Sequence, residues 1–401
     1  MYAKKLLIII IGCFLFFESI AQVKESLEEV DAHSLNLYNA GQWQVLMNYG
    51  KEKISSGIDF PLLRMRTGYA AFMLENYSLS LLQYEKVFND DADNKLALHY
   101  VYLNNLYLNN ITAARFYAAQ LAPETKVSEK IESVKIASLE SEYSYKMPSD
   151  TTRNNAQYAR IGLNIHLGYK LELQQSVAMY NQLISELKIN PPPIPPPPPN
   201  TTIVQNPQHI NIQQKEYYGK LIFAASGRVS LIGGFHYLYT PFNNLIYNNN
   251  IVFAGIKYTS PYVHLSAMAH FGNITDSAFN QYEASVSLFP LGNTKLYTVS
   301  KVADGDNVIF SQVVGFAVTK TVWLEGNVTL GKFYKLLEHD ALYVYNDIDQ
   351  KKFKAGGSIY ALLSKKLLLT LNYSFEQKAL YKTTNNNFYQ NSITGGLTWK
   401  F

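Results

Sequence analysis

Apolar residues recur at helical spacing from about residue 24 to 130 and at every second position from about Ile136 onward. The chain therefore predicts a helical segment followed by a β segment. The last strand carries the second pattern plainly. Counting back from Phe401, Trp399, Leu397, Gly395 and Ile393 are apolar or small, and Lys400, Thr398, Gly396, Thr394 and Ser392 alternate with them. A period of two gives one apolar face and one wet face. Strands are predicted near 136–146, 156–167, 171–187, 216–225, 229–240, 250–259, 262–271, 280–289, 295–302, 308–319, 322–334, 352–363, 366–378 and 389–401, about 14 in all. Short turns such as Gly168–Lys170, Ser226–Arg228, Ser260-Pro261, Pro290–Asn293, Lys320-Thr321 and Ser364-Lys365 join them at one end.

The two faces differ sharply. Ile161, Leu163, Ile165, Val263, Leu265, Phe271, Val286, Leu288, Val322, Leu324, Val328, Leu367, Leu369, Leu371, Tyr373 and Phe375 share one side. Their neighbours Arg160, His166, His264, His270, Glu283, Glu325, Lys354, Glu376 and Lys400 are polar, and Glu172, Lys220 and His236 join them as candidates for a wet interior. Hardly any charge falls on the apolar side, where Arg or Lys at a bilayer midplane would cost about 2–4 kcal/mol. The pattern fits a transmembrane antiparallel β-barrel with a polar lumen. An even strand count places residue 133 and the C-terminus on the same, periplasmic side.

The helical segment repeats at a step of 34. Gly41-Gln42-Trp43 aligns with Glu75-Asn76-Tyr77 and with Asn109-Asn110-Ile111, and Gly50, Tyr84 and Ala118 share a further position. That is the tetratricopeptide spacing. Residues 22–132 are thus read as a small tetratricopeptide-like α-solenoid whose concave face would take a periplasmic protein or peptide; an irregular helical bundle would fit the same residues. The fold class is a multidomain α + β chain, with an N-terminal solenoid and a barrel over 133–401.

Composition and the first residues add a compartment. Lys4 and Lys5, the apolar run Leu6–Phe17, and Ser19 and Ala21 before Gln22 form a signal peptide over residues 1–21. A lipoprotein box around Cys13 is the rival reading; ordinary cleavage removes this single cysteine and with it any thiol chemistry. With 31 Tyr, 21 Phe and only 16% charged residues, the chain suits aromatic girdles better than a soluble surface. A net charge of +4 implies no nucleic-acid partner. No later stretch is apolar for the length of a transmembrane helix, so an exported chain of this pattern is expected in the outer membrane of a Gram-negative bacterium, with its helices in the periplasm.

Between the third and fourth strands lies a proline-rich run, Asn190 to Pro199, inside an expected extracellular loop over 188–215. Proline donates nothing to a sheet ladder, so this loop is either an exposed arm that touches a partner or a tolerated insertion.

Little in the sequence points to chemistry. His264 and Ser266 lie two apart, with His236, His270 and Glu283 on nearby strands, which leaves a lipid hydrolase as an alternative that needs a hydrogen-bonded triad. Metal-ligand spacing and phosphate loops are not evident, so no cofactor is expected. Lumen charges of both signs suggest salt bridges and a partly filled interior, or a weakly selective channel.

The ending Ser392-Ile393-Thr394-Gly395-Gly396-Leu397-Thr398-Trp399-Lys400-Phe401, the segment Tyr143–Asp150 and Leu363-Ser364-Lys365-Lys366-Leu367 resemble the YaiO-like outer-membrane barrel proteins, especially those of Bacteroidetes. The resemblance implies an outer-membrane barrel behind a repeat module and carries over no catalytic residues. The terminal Trp399 and Phe401 resemble the signal read by the barrel-assembly machinery. More distantly, the layout is similar to exopolysaccharide exporters. The expected function is a non-enzymatic barrel with a periplasmic docking module, serving envelope export or transport with polysaccharide as a candidate cargo and outer-membrane lipid around it. A plugged structural or adhesion scaffold is the alternative.

Overall fold

The computed structural model describes residues 25–187, 207–242, 245–381 and 386–401. The signal segment and the proline run lie outside the described residues.

Among the described residues seven helices come first: α1 Leu27–Asn39, α2 Trp43–Ser55, α3 Pro61–Met73, α4 Tyr77–Asp90, α5 Lys95–Tyr107, α6 Ile111–Ala118 and α7 Pro123–Ser128. The first residues of α1, α3 and α5, and those of α2, α4 and α6, recur at the 34-residue step read from the sequence. Gly41, Glu75 and Asn109, each two residues before a repeat's second helix, share a left-handed φ near 60°. Such a residue reverses the chain within a few positions, so the same turn is rebuilt in every repeat.

The chain divides into two compact units, residues 1–74 and 75–401. In the first, Ser26 and Glu29 cap α1 reciprocally. Leu37, Leu46 and Ala70 form its core, ringed by Tyr38, Trp43, Met47 and Tyr49. Small residues set the α2–α3 crossing: a Cβ on Gly50 would overlap the Thr67 hydroxyl, which donates to Leu63 O at 2.7 Å.

The second unit holds the remaining helices and a closed antiparallel barrel of fourteen strands. These are β1 Val134–Pro148, β2 Arg153–Leu167, β3 Leu171–Leu187, β4 Pro207–Ala224, β5 Val229–Phe242, β6 Leu245–Thr259, β7 Val263–Ile274, β8 Ser277–Leu288, β9 Leu296–Asp304, β10 Val308–Ala317, β11 Val322–Glu338, β12 Tyr343–Leu362, β13 Leu367–Ala379 and β14 Asn387–Lys400. Every predicted strand is present. The barrel closes where β14 meets β1, Lys400 opposite Ser138 through Gln390 opposite Pro148. Exposed Ile161, Leu265, Phe271, Leu371, Tyr373, Ile393, Leu397 and Trp399 give the barrel an apolar exterior.

Two segments depart from the expected boundaries. Residues 207–215, expected in the proline-rich loop, belong to β4 and pair with β3, Pro207 opposite Leu187. The connection expected between residues 334 and 352 is mostly strand: β11 and β12 run on past two bulges, with Lys335 opposite Asn346 and Glu338 opposite Tyr343. The causes differ: residues 207–215 are mostly polar and lack the apolar face by which alternation is recognised, whereas in β11–β12 two bulges break the period of two.

Candidate functional site

The tip of the β11–β12 hairpin, residues 339–342, turns into the lumen and packs on the opposite wall. Leu337 and Ala341 join Tyr218, Leu238, Ile251, Phe253, Met268, Ile274 and Phe279 in a buried cluster inside the barrel. Polar bonds surround it. Tyr218 donates its hydroxyl to Asp340 O at 3.1 Å, Lys220 Nζ donates to Asp340 Oδ2 at 3.0 Å, and His236 Nδ1 lies 2.7 Å from Ala341 O. From the tip's other side, Tyr343 donates to Glu142 Oε2 at 2.5 Å. His339, Asp340 and Ala341 all have left-handed φ, near 56–60°. A run of three non-glycine residues there costs on the order of 1–2 kcal/mol each, so the tip's shape is imposed by what holds it.

Ion pairs fix the rest of the hairpin. Arg153 grips Asp349 with two bonds of 2.7 and 2.9 Å, and Lys354 reaches Glu338 at 2.8 Å and the Tyr345 hydroxyl at 2.7 Å. Lys351 contacts Asp347 and, at 3.7 Å, Glu376; Lys378 lies 3.4 Å from both acids. Such buried charges are tolerable only because each is paired.

The sequence candidates distribute along this interior. Arg160 sits 3.1 Å from Glu140 and 3.5 Å from Glu142, Lys220 pairs with Asp340, Glu283 with Lys301 at 3.3 Å, and Glu325 accepts from Tyr297 at 2.8 Å. His166 is buried 3.9 Å from Glu172, and His264 lies tilted against Phe289 with ring centres 4.6 Å apart. Lys400 is exposed at the rim, as are Trp399 and Phe401. His236 and His270, expected as filling in a wet lumen, are instead 1% and 0% exposed, against the buried apolar cluster. The hairpin tip covers His236, and Phe253 lies against His270 at 5.8 Å. Ser266, the candidate nucleophile, shares a hydrogen bond with Ser285 at 2.7 Å, and among the described residues no histidine is hydrogen-bonded to it.

The tip is what sequence reading missed. Its signal was present: Leu336, Leu337, Leu342 and Val344 are too apolar for a loop in water. Inward Leu238, Ile251, Phe253, Met268 and Phe279 are the matching half of that signal.

Beside the packed tip, open space remains whose lining draws on all fourteen strands. A cavity of about 730 Å³ is lined from Arg153, Tyr247 and Phe388 at one end to Glu325, Tyr360 and Thr370 near the other. Between these, small or polar residues such as Ser285, Ser311, Ser358, Ser374 and Thr394 face it.

Helices of the same unit grip the short-turn rim. Ser78 N donates to Gly292 O at 2.9 Å and its hydroxyl donates to Pro261 O; Asn293 Nδ2 donates to Glu75 O at 3.0 Å. Arg228, in the β4–β5 turn, reaches the buried Glu85 at 2.5 Å, and Arg115 donates to Gly168 O and Ser133 O, both at 2.7 Å. The Lys295 hydrogen bond holds the Glu75 carboxyl below the usual carboxylate range. Four turns are engaged, those after β2, β4, β6 and β8.

No family model and no curated protein matches the chain. Among solved structures it is similar to the TodX deltaS2S3 mutant monoaromatic hydrocarbon channel, at 7% identity and a TM-score of 0.44 over 69% of this chain and 92% of that one. It is also similar to the Acinetobacter baumannii outer membrane protein Omp33, at 7% identity and 0.36 over 66% and 99%. The NanC porin gives 9% identity and 0.33 over 66% and 100%. At scores below 0.5, none of these likenesses carries an inference about activity.

Proposed function

We propose that the chain is a non-enzymatic outer-membrane barrel of a Gram-negative envelope, with a tetratricopeptide-type docking module in the periplasm. Its role is export or transport through a lumen narrowed by the β11–β12 hairpin. The supporting observation is the cavity of about 730 Å³ inside the barrel beside the hairpin, lined by polar and apolar side chains from both ends of the lumen. The apolar exterior suits a bilayer, and the engagement of Ser266 with Ser285 argues against the hydrolase reading. Membership among the YaiO-like proteins, and polysaccharide as cargo, belong to this proposal.

The many bonds that pin the hairpin favour a second reading, a plugged scaffold. Single-channel recording in planar bilayers separates the two. The full chain is expected to conduct in small steps, as a partly filled lumen should, and electrical silence both with and without residues 22–130 would remove the pore.

A further inference from the structure

One group of polar side chains on the cavity wall has no ligand within the protein. At the end of the lumen away from the helices, Lys351, Lys378, Asp347 and Glu376 form a closed set in which both lysines contact both acids. Lys146 feels the charge of Asp347 and Glu376 but makes no direct contact with either, so this end of the lumen carries three lysines to two acids. No carboxylate lies within ion-pair reach of it among the described residues, and its Nζ rests 5.4 Å from the centre of the Tyr180 ring.

Lys146 stands directly opposite Ser392 across the β1–β14 seam. Ser392 is 5% exposed, and its hydroxyl has no hydrogen-bond partner. Two positions along β1, Ser144 stands opposite Tyr158, whose hydroxyl is also buried without a partner. Directly opposed side chains on a sheet have Cβ atoms about 4.5–5.5 Å apart and diagonal ones about 7–8 Å. Lys146, Tyr158 and Ser392 all line the cavity. Buried polar groups in a native protein are nearly always satisfied. Two hydroxyls that can donate beside an unpaired ammonium want a ligand rich in acceptors and negatively charged.

We propose that Lys146, Tyr158 and Ser392 form a subsite for the carboxylate of an acidic solute in the lumen, such as an acidic sugar. The proposal rests on reading the lumen as a transport path. A neutral sugar would satisfy the hydroxyls and leave the ammonium unmatched. Phosphate shares the oxyanion chemistry and is the competing ligand to be tested.

The experiment is calorimetric titration of the detergent-solubilised full chain with glucuronate, acetate, phosphate and glucose. Glucuronate is expected to bind roughly tenfold or more tightly than glucose, as a charge-assisted hydrogen bond implies. Lys146→Met should erase that preference and Lys146→Arg retain it, while Tyr158→Phe and Ser392→Ala each weaken glucuronate a few-fold. Heat-modifiable migration on gels confirms that each variant is a folded barrel. Acetate that follows the same pattern supports a carboxylate site. Stronger binding of phosphate, equal binding of glucuronate and glucose, or an unchanged Lys146→Met would each overturn the proposal. A barrel that binds glucuronate in this way yet does not conduct keeps the subsite and loses the transport role; a conducting barrel without the preference loses the subsite alone.

Discussion

Arg228 and Glu85 show how much one pair can carry. Glu85 is 7% exposed at its side chain while Arg228 is 41% exposed, so the acid depends on the arginine more than the reverse. Removing the arginine leaves a buried carboxylate with no counter-charge. Arg228→Met should therefore destabilise α4–α6 by roughly 1–3 kcal/mol, below the cost for a fully buried pair because solvent screens the exposed end. Urea titration followed by the helical circular-dichroism signal reads this loss, with gel migration of the barrel expected to stay unchanged. Adding Glu85→Leu should recover most of it, and a double variant as unstable as the single one would show that the acid was not the cause. Neither residue announced itself in the sequence, because a turn arginine and a helix glutamate look like ordinary solvated charges until the fold brings them together.

At the scale of elements, the hairpin is decisive. Its tip is held by Lys220 on β4, by contact with His236 on β5 and by Glu142 on β1. Asp340→Asn keeps the shape of the side chain and removes its charge, leaving Lys220 with a weaker partner. In planar bilayers this variant is expected to open more often or to a larger step than the unaltered chain. Identical traces would mean that the tip does not limit conduction. The helical repeats were legible for a different reason: a left-handed turn residue before each second helix recurs at a fixed step, and local chemistry enforces it. The hairpin's inward fold has no local cause, since its apolar residues are explained only by a wall built from distant strands, Tyr218 on β4 through Phe279 on β8.

The whole molecule depends on its seam. Closing a sheet into a barrel abolishes both edges, and here the last strand supplies the final ladder. Phe401 N donates to Ala137 O at 3.2 Å, one bond among many along β1 and β14. Deleting Phe401 should thus barely change an assembled barrel. It should nevertheless reduce the amount reaching the membrane several-fold, because the exposed terminal aromatic resembles an assembly signal. Quantifying heat-modifiable barrel in membrane fractions checks this, and normal insertion of the shortened chain would count against that role for Phe401.

The sequence by itself determined the strand number, the closing pair, the exterior face and the 34-residue helical step, because each is a local period set by backbone geometry and by contact with an apolar or wet medium. Tertiary structure alone decided that the hairpin tip packs on apolar side chains inside the lumen, that His236 and His270 are buried, and that Lys146 has no acid in direct contact among the described residues. Those outcomes depend on which side chains meet across the barrel, and a closed sheet brings together residues that no short-range pattern relates.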